Sequence, residues 1–224
     1  LRARHPLLLG FADWTYAATP PETFEGDPRR GQSRLAYPQV ITDLSAVRQA
    51  TGATVDIRQY PWSAGHEDLM LLAADPAQPF AWTAATCAAE GWVWFALKSP
   101  RQLRSTILWM SNGGRYYEPF DRRHTEVLGL EEVTAFFHLG HARSTSANDL
   151  NAADVPTVVQ LTPDTPLQIH YAFGLLPTNE PFGRVVLVTY ADGRLTLQDD
   201  AGRTVGCDVD PAFMERLTAA PEAY

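Results

Sequence analysis

The run from Trp109 to His141, WMSNGGRYYEPFDRRHTEVLGLEEVTAFFHLGH, gathers the side chains of this sequence best equipped for chemistry. It holds a Gly-Gly pair, three Arg, three His and the adjacent acids Glu131 and Glu132, set among aromatic residues. Aromatic faces suit the C–H surfaces of a sugar, guanidinium forks suit its hydroxyls, and a carboxylate near imidazoles has a proton to move. Elsewhere the sequence alternates apolar and polar residues in the manner of ordinary β-sheet.

Taken as a strand of period two, Val127–Val133 sends Val127, Gly129, Glu131 and Val133 to one face and Leu128, Leu130 and Glu132 to the other. Glu131 then shares its face with Gly129, whose missing side chain leaves room for a ligand, while Glu132 takes a structural or solvated role. The competing reading puts both acids at a wet sheet edge. Ser111-Asn112-Gly113-Gly114-Arg115 reads as a glycine turn; no Lys-Ser/Thr follows it and no helix opens after it, so it is not a phosphate loop. Arg115, Arg122 and Arg123 are candidates to fork onto hydroxyls, or are a solvated charge run. Trp109, Tyr116, Tyr117 and Phe120 offer either a stacking platform or core. His124, His138, His141 and Glu131 match no metal-ligand spacing, so no metal is expected. Gly-x-Ser-x-Gly is absent, and Cys87 sits mid-strand among Ala residues, which argues against serine and thiol hydrolases.

The elements that must position these residues are mostly strands. Residues 1–45, with Pro20, Pro21, Pro28, Arg29 and Arg30, read as irregular connection with a short strand or two. Strands are expected at Thr54–Tyr60, Asp68–Ala73, Phe80–Cys87, Trp92–Lys98, Ser105–Met110, Val127–Thr134, Thr157–Thr162, Gln168–Leu175, Arg184–Thr189, Arg194–Gln198 and Thr204–Val209. Trp92–Lys98 is apolar on both faces, as in a strand covered from both sides. Asp192-Gly193 and Ala201-Gly202 mark hairpin turns. Arg143–Asp154 reads as a loop, and Asp210-Pro211 opens a short helix to about Ala219. The expectation is an all-β chain folded as a single antiparallel β-sandwich domain over residues 1–224.

With 224 residues, 45% of them hydrophobic, the chain can bury a sizeable core. Its net charge of −8 argues against a nucleic-acid partner. Cys87 and Cys207 provide no disulfide framework and read as two ordinary buried thiols. No apolar run approaches the ~20 residues that span a bilayer and no signal peptide is visible, so no membrane partner and a cytoplasmic location are expected. The opening Leu1-Arg2-Ala3-Arg4 carries no Met, and the chain is expected to be the carboxy-terminal portion of a longer protein.

Leu128-Gly129-Leu130-Glu131, followed after a loop by PDTPLQIHYAF (Pro163–Phe173), resembles the carboxy-terminal part of the galactose mutarotase-like superfamily, the aldose 1-epimerases. The resemblance implies a β-supersandwich without its amino-terminal strands and no metal or organic cofactor. It also implies Glu131 as catalytic base, His5 of Arg4-His5-Pro6-Leu7-Leu8 as general acid, and Asp68 of Gly65-His66-Glu67-Asp68-Leu69 as a sugar-holding residue. His66, Trp109, Asn112, Arg115 and His124 complete the expected substrate contacts. Leu7-Leu8 stands where the family has an aromatic pair, and Val133 where it commonly has Gln. The family's Arg- and His-bearing upstream half has no counterpart here.

The implied reaction opens a cyclic hemiacetal. A base takes the proton of the anomeric hydroxyl while an acid protonates the ring oxygen; closure on the other face then gives the second anomer. The partner is a small-molecule sugar. Two other readings stand beside it: a non-catalytic carbohydrate-binding β-sandwich, and a scaffold in which the Gly-Gly-Arg run is only a turn.

Overall fold

A computed structural model describes residues 1–23, 32–164 and 166–220; Pro28, Arg29 and Arg30 of the irregular stretch and Thr165 of the Pro163–Phe173 segment lie outside them. In chain order the strands are β1 Leu7–Phe11, β2 Trp14–Ala18, β3 Val47–Arg48, β4 Thr54–Val55, β5 Gln59–Tyr60, β6 His66–Ala74, β7 Ala81–Cys87, β8 Trp92–Lys98, β9 Ser105–Asn112, β10 Val127–Val133, β11 Tyr171–Pro177, β12 Val185–Ala191, β13 Arg194–Asp199 and β14 Thr204–Asp208. Three short helices, α1 Gly140–Thr145, α2 Asp149–Ala152 and α3 Pro211–Thr218, complete the described elements. The chain is all-β, and its sheets are antiparallel.

A front sheet of order β10-β9-β6-β2 and a back sheet of order β11-β8-β7-β1-β5 share a core. Leu7, Leu9, Ala85 and Cys87 of the back sheet pack in one cluster with Met70, Leu72, Leu108, Met110 and Leu128 of the front. Each fully buried aliphatic side chain contributes about 1.5–3 kcal/mol, so this shared layer fixes which face of β10 points inward. The all-apolar β8 is explained by what covers it. Trp92 and Trp94 face the shared core, while Val93, Phe95 and Leu97 pack against β12, β13 and α3 through Val185, Val188, Leu195, Leu197, Met214 and Leu217. The outermost strand of the back sheet, β11, leaves Phe173 69% and Leu175 60% exposed.

Local chemistry explains the departures from expectation. The expected strand Thr54–Tyr60 is split into β4 and β5, because the Asp56 carboxylate accepts the Arg58 N–H and turns the backbone while Ile57 is buried. The expected loop at 143–154 contains part of α1 and all of α2; the Asn148 side chain caps α2 by accepting the Asn151 N–H, and Leu150 is buried. Thr157–Thr162 is no strand. The Thr157 hydroxyl instead donates to the Ser144 carbonyl and accepts from Asn148 and Asn151, tying the segment to the helices. Asp210 caps α3 as expected by accepting the Ala212 N–H, with Pro211 in its first turn. Asp192 and Gly193 both take positive φ in the β12–β13 turn, as a two-residue hairpin requires. Both cysteines are free, Cys87 buried and Cys207 half-buried. Among the described residues no helix is long and apolar enough to cross a membrane.

Candidate functional site

Register within the front sheet assembles the site. Glu67 of β6 lies opposite Ser111 of β9, and Trp109 lies opposite Gly129 of β10. Period two therefore puts Glu67, Trp109, Ser111, Gly129 and Glu131 on one face. Glu132 points the other way, into the shared core: it accepts hydrogen bonds from Thr83 and Thr106 and pairs with Lys98 of the back sheet. The face carrying Glu131 thus looks away from the back sheet. One end of this outer face is covered by Phe136, Phe137, Leu150 and Val155, and the other is bordered by the loop between β9 and β10.

That loop is anchored by its two glycines in different ways. Gly113 has φ +75° and donates its N–H to the His124 carbonyl at 2.9 Å, which closes the excursion at its base. Gly114 lies so close to β6 that a Cβ would sit 2.2 Å from the His66 carbonyl carbon. The pair is therefore both a turn and a point where two backbones touch.

Against β6 and β9 the loop seats Arg115, Phe120 and His124. Glu67, fully buried, takes the Trp109 indole N–H on Oε1 at 2.6 Å and the Ser111 hydroxyl on Oε2 at 2.8 Å. The Arg115 Nε stands 3.4 Å from the same Oε1, and its guanidinium lies over the rings of Trp109 and Phe120. Ser111 Oγ is also 2.7 Å from His124 Nδ1. The His124 ring is 5.3 Å from that of Trp109, and its pKa is lowered by burial and then by the Arg115 charge, which keeps the imidazole neutral at pH 7.

On the far side of Trp109 stands Glu131. A Cβ on Gly129 would meet Glu131 Oε1 at 3.0 Å and Trp109 Cε3 at 3.3 Å, so the carboxylate and the indole edge close over the bare glycine and take up the room expected there for a ligand. Glu131 is exposed as a residue and has no hydrogen-bond or ion-pair partner among the described residues, yet partial desolvation raises its pKa. Two titratable groups of different environment thus lie on either side of a half-buried Trp.

The other expected site residues lie elsewhere. His66 and Asp68 face the interior, fully buried, with His66 Nδ1 2.8 Å from Asp68 Oδ2. Asp68 also accepts from the Arg34 and Leu35 N–H groups and the Tyr37 hydroxyl, so it pins the 34–37 segment to β6. Asn112, 8% exposed, donates to the Ser63 carbonyl and accepts the Glu126 N–H, bracing the loop from inside. His5 precedes β1 of the back sheet. It is exposed, and its ion-pair neighbour is Glu90 at 3.9 Å. The expected acid and base therefore belong to different sheets, with Glu131 facing away from the sheet that His5 adjoins.

Glu67 and Ser111 were not foreseen as members of the site. A strand signal existed, since Glu67 alternates with Leu69 and Leu71 on one face, but only the β6–β9 register brings it to Ser111 and Trp109. Among the described residues no three His, Cys, Asp or Glu gather in a way that would hold a metal ion. Compared with protein-family models, curated proteins and solved structures, the chain matches none.

Proposed function

We propose that the outer face of the front sheet binds a sugar on the edge of Trp109, and that Glu131 and His124 exchange protons with it. The protein would then be an aldose 1-epimerase-like isomerase, and its two stacked sheets the β-sandwich of that class. The observation that carries the reading is the placement of Glu131 and His124 on opposite sides of Trp109, with Glu131 drawn in over Gly129 toward the indole edge. Anomer exchange needs one group to take the anomeric proton and another to give one to the ring oxygen, with the roles reversing on closure. A carboxylate of raised pKa and an imidazole of lowered pKa approach each other in proton affinity, which suits that exchange. His124 replaces His5 in the proposed pair, because His5 adjoins the other sheet.

The test is the rate of anomer interconversion for a panel of neutral aldoses, followed by polarimetry or NMR exchange spectroscopy. Acceleration by the parent, abolished in Glu131→Gln with sugar binding retained, is the expected result. Binding without acceleration by the parent assigns the face to non-catalytic carbohydrate recognition. No binding of any aldose refutes both.

A further inference from the structure

Ser111 has one hydroxyl proton and stands between two groups that would each accept it. Its Oγ is 2.8 Å from Glu67 Oε2 and 2.7 Å from His124 Nδ1. If the proton went to His124, the Glu67 carboxylate would face only lone pairs of Ser111 at hydrogen-bond distance, inside a buried site where that repulsion is poorly screened. A protonated Glu67 would relieve the clash. However, its other oxygen already faces the Trp109 N–H and the Arg115 cation, an environment that holds a carboxylate charged. One arrangement satisfies every group: Ser111 donates to Glu67, and His124 Nδ1–H donates to Ser111.

We propose that Glu67, acting through Ser111, is a positioning pair that locks His124 in the Nδ1–H tautomer and leaves Nε2 as a bare acceptor for the ligand. This rests on the reading of His124 as one of the two proton-exchanging groups. Nε2 lies across the ring from Ser111 and has no hydrogen-bond partner among the described residues. With Nε2 the acceptor of the pair, the donor that anomer exchange also needs is the protonated form of the Glu131 carboxyl on the other side of Trp109. The ligand group at Nε2 must therefore donate a hydrogen bond to it, as a hydroxyl does. A phosphate or carboxylate at that point would set its own lone pairs against that of Nε2, so the ligand carries a free hydroxyl at its reacting position rather than an ester phosphate.

The tautomer is read directly by long-range 1H–15N correlation of the histidine side chains in the full chain, with His124 assigned by its loss in His124→Gln. Above the titration of the ring, the parent is expected to show a protonated Nδ1 and an unprotonated Nε2. In Glu67→Gln the amide oxygen stays on Trp109 and Arg115 and the NH2 group turns to Ser111. Ser111 must then accept from the amide and donate to Nδ1, which inverts His124 to the Nε2–H form. Ser111→Ala removes the relay and should give a mixed population, while Ser111→Thr should restore the parent pattern. An Nε2–H tautomer in the parent overturns the proposal, as does an unchanged Nδ1–H signal in both Glu67→Gln and Ser111→Ala. Should either variant fail to fold, the parent spectrum alone still decides. No sugar enters this measurement, so a correct tautomer without anomer exchange would sink the functional reading and leave the relay standing.

Discussion

Glu131 and Glu132 are neighbours in sequence, and exchanging each for Gln should have opposite consequences. The Lys98 and Glu132 side chains are 2% and 4% exposed, and the pair spans the two sheets. Glu132→Gln leaves the Lys98 ammonium buried among neutral acceptors alone, the Thr106 hydroxyl at 2.8 Å and the new amide oxygen, with no opposite charge to balance it. An uncompensated buried charge of this kind costs about 3–5 kcal/mol. For a chain of this length each kcal/mol lowers Tm by about 2–4 °C, so a fall of roughly 10 °C is expected. Burial already lowers the Lys98 pKa, partly offset by Glu132. Without Glu132 it drops further, so the unfolded chain holds the proton more tightly and the stability of Glu132→Gln should climb as pH rises toward the ~10.4 of free lysine.

Glu131→Gln, by contrast, removes no contact, and exposed positions of that kind shift stability by about 0.5 kcal/mol at most. Its raised pKa means the fold favours the protonated carboxyl, so ionisation weakens the fold above the ~4.3 of a free glutamate, and Gln lifts that penalty. Thermal melts by circular dichroism, run beside the anomer-exchange assay, separate the two. Glu131→Gln should lose exchange at the parent's Tm, and Glu132→Gln should lose Tm while the protein folded at lower temperature retains exchange. Equal Tm losses in both variants, or a Glu132→Gln melt within about 2 °C of the parent, would refute the inward and outward assignment of β10.

Four further outcomes can be measured. Gly129→Val pushes the Glu131 carboxylate and the Trp109 edge out of place, since a Cβ alone would stand 3.0 Å from one and 3.3 Å from the other, and should abolish aldose binding by titration calorimetry while the protein stays folded. Gly114→Ala pushes a methyl into the β6 backbone, where a Cβ stands 2.2 Å from His66, and should lower stability by about 2–4 kcal/mol in urea titrations. Burial raises the Asp199 pKa, but the N–H bonds of Gly183, Arg203 and Ala201 outweigh it and hold the carboxyl low. Its contribution is therefore complete above the ~3.9 of free aspartate and is lost as pH falls through the lower folded value, a loss that should be absent in Asp199→Asn. Phe173→Lys places a charge on the exposed outer strand of the back sheet and should reduce self-association in analytical ultracentrifugation; sedimentation identical to the parent's would refute association through that edge.

The sequence was most readable where one strand decides the matter alone. Alternation along Val127–Val133 separated Glu131 from Glu132, the double-faced apolarity of Trp92–Lys98 announced its two covers, and Asp210-Pro211 marked α3. What alternation cannot supply is register between strands distant in sequence. Glu67 meets Ser111 because β6 pairs with β9 at one offset; a slip of one residue would have turned Asp68 to the site instead. The same limit explains His5, whose spacing from Glu131 carries no information about which sheet each adjoins. Thr157–Thr162 misled because Thr and Val favour strands, whereas the Thr157 hydroxyl found partners in the two short helices.

The first residues run antiparallel along the free edge of β10: Arg2 bridges Val127, the Leu1 amine donates to the Leu128 carbonyl, and Leu128 donates back to the Leu1 carbonyl. A peptide joined ahead of Leu1 and continuing that ladder would pass beside Gly129 and then Glu131. A segment that did so would become the next strand beside the site. Assays of the site should therefore compare proteins tagged at opposite ends before any difference in sugar preference is credited to the residues themselves.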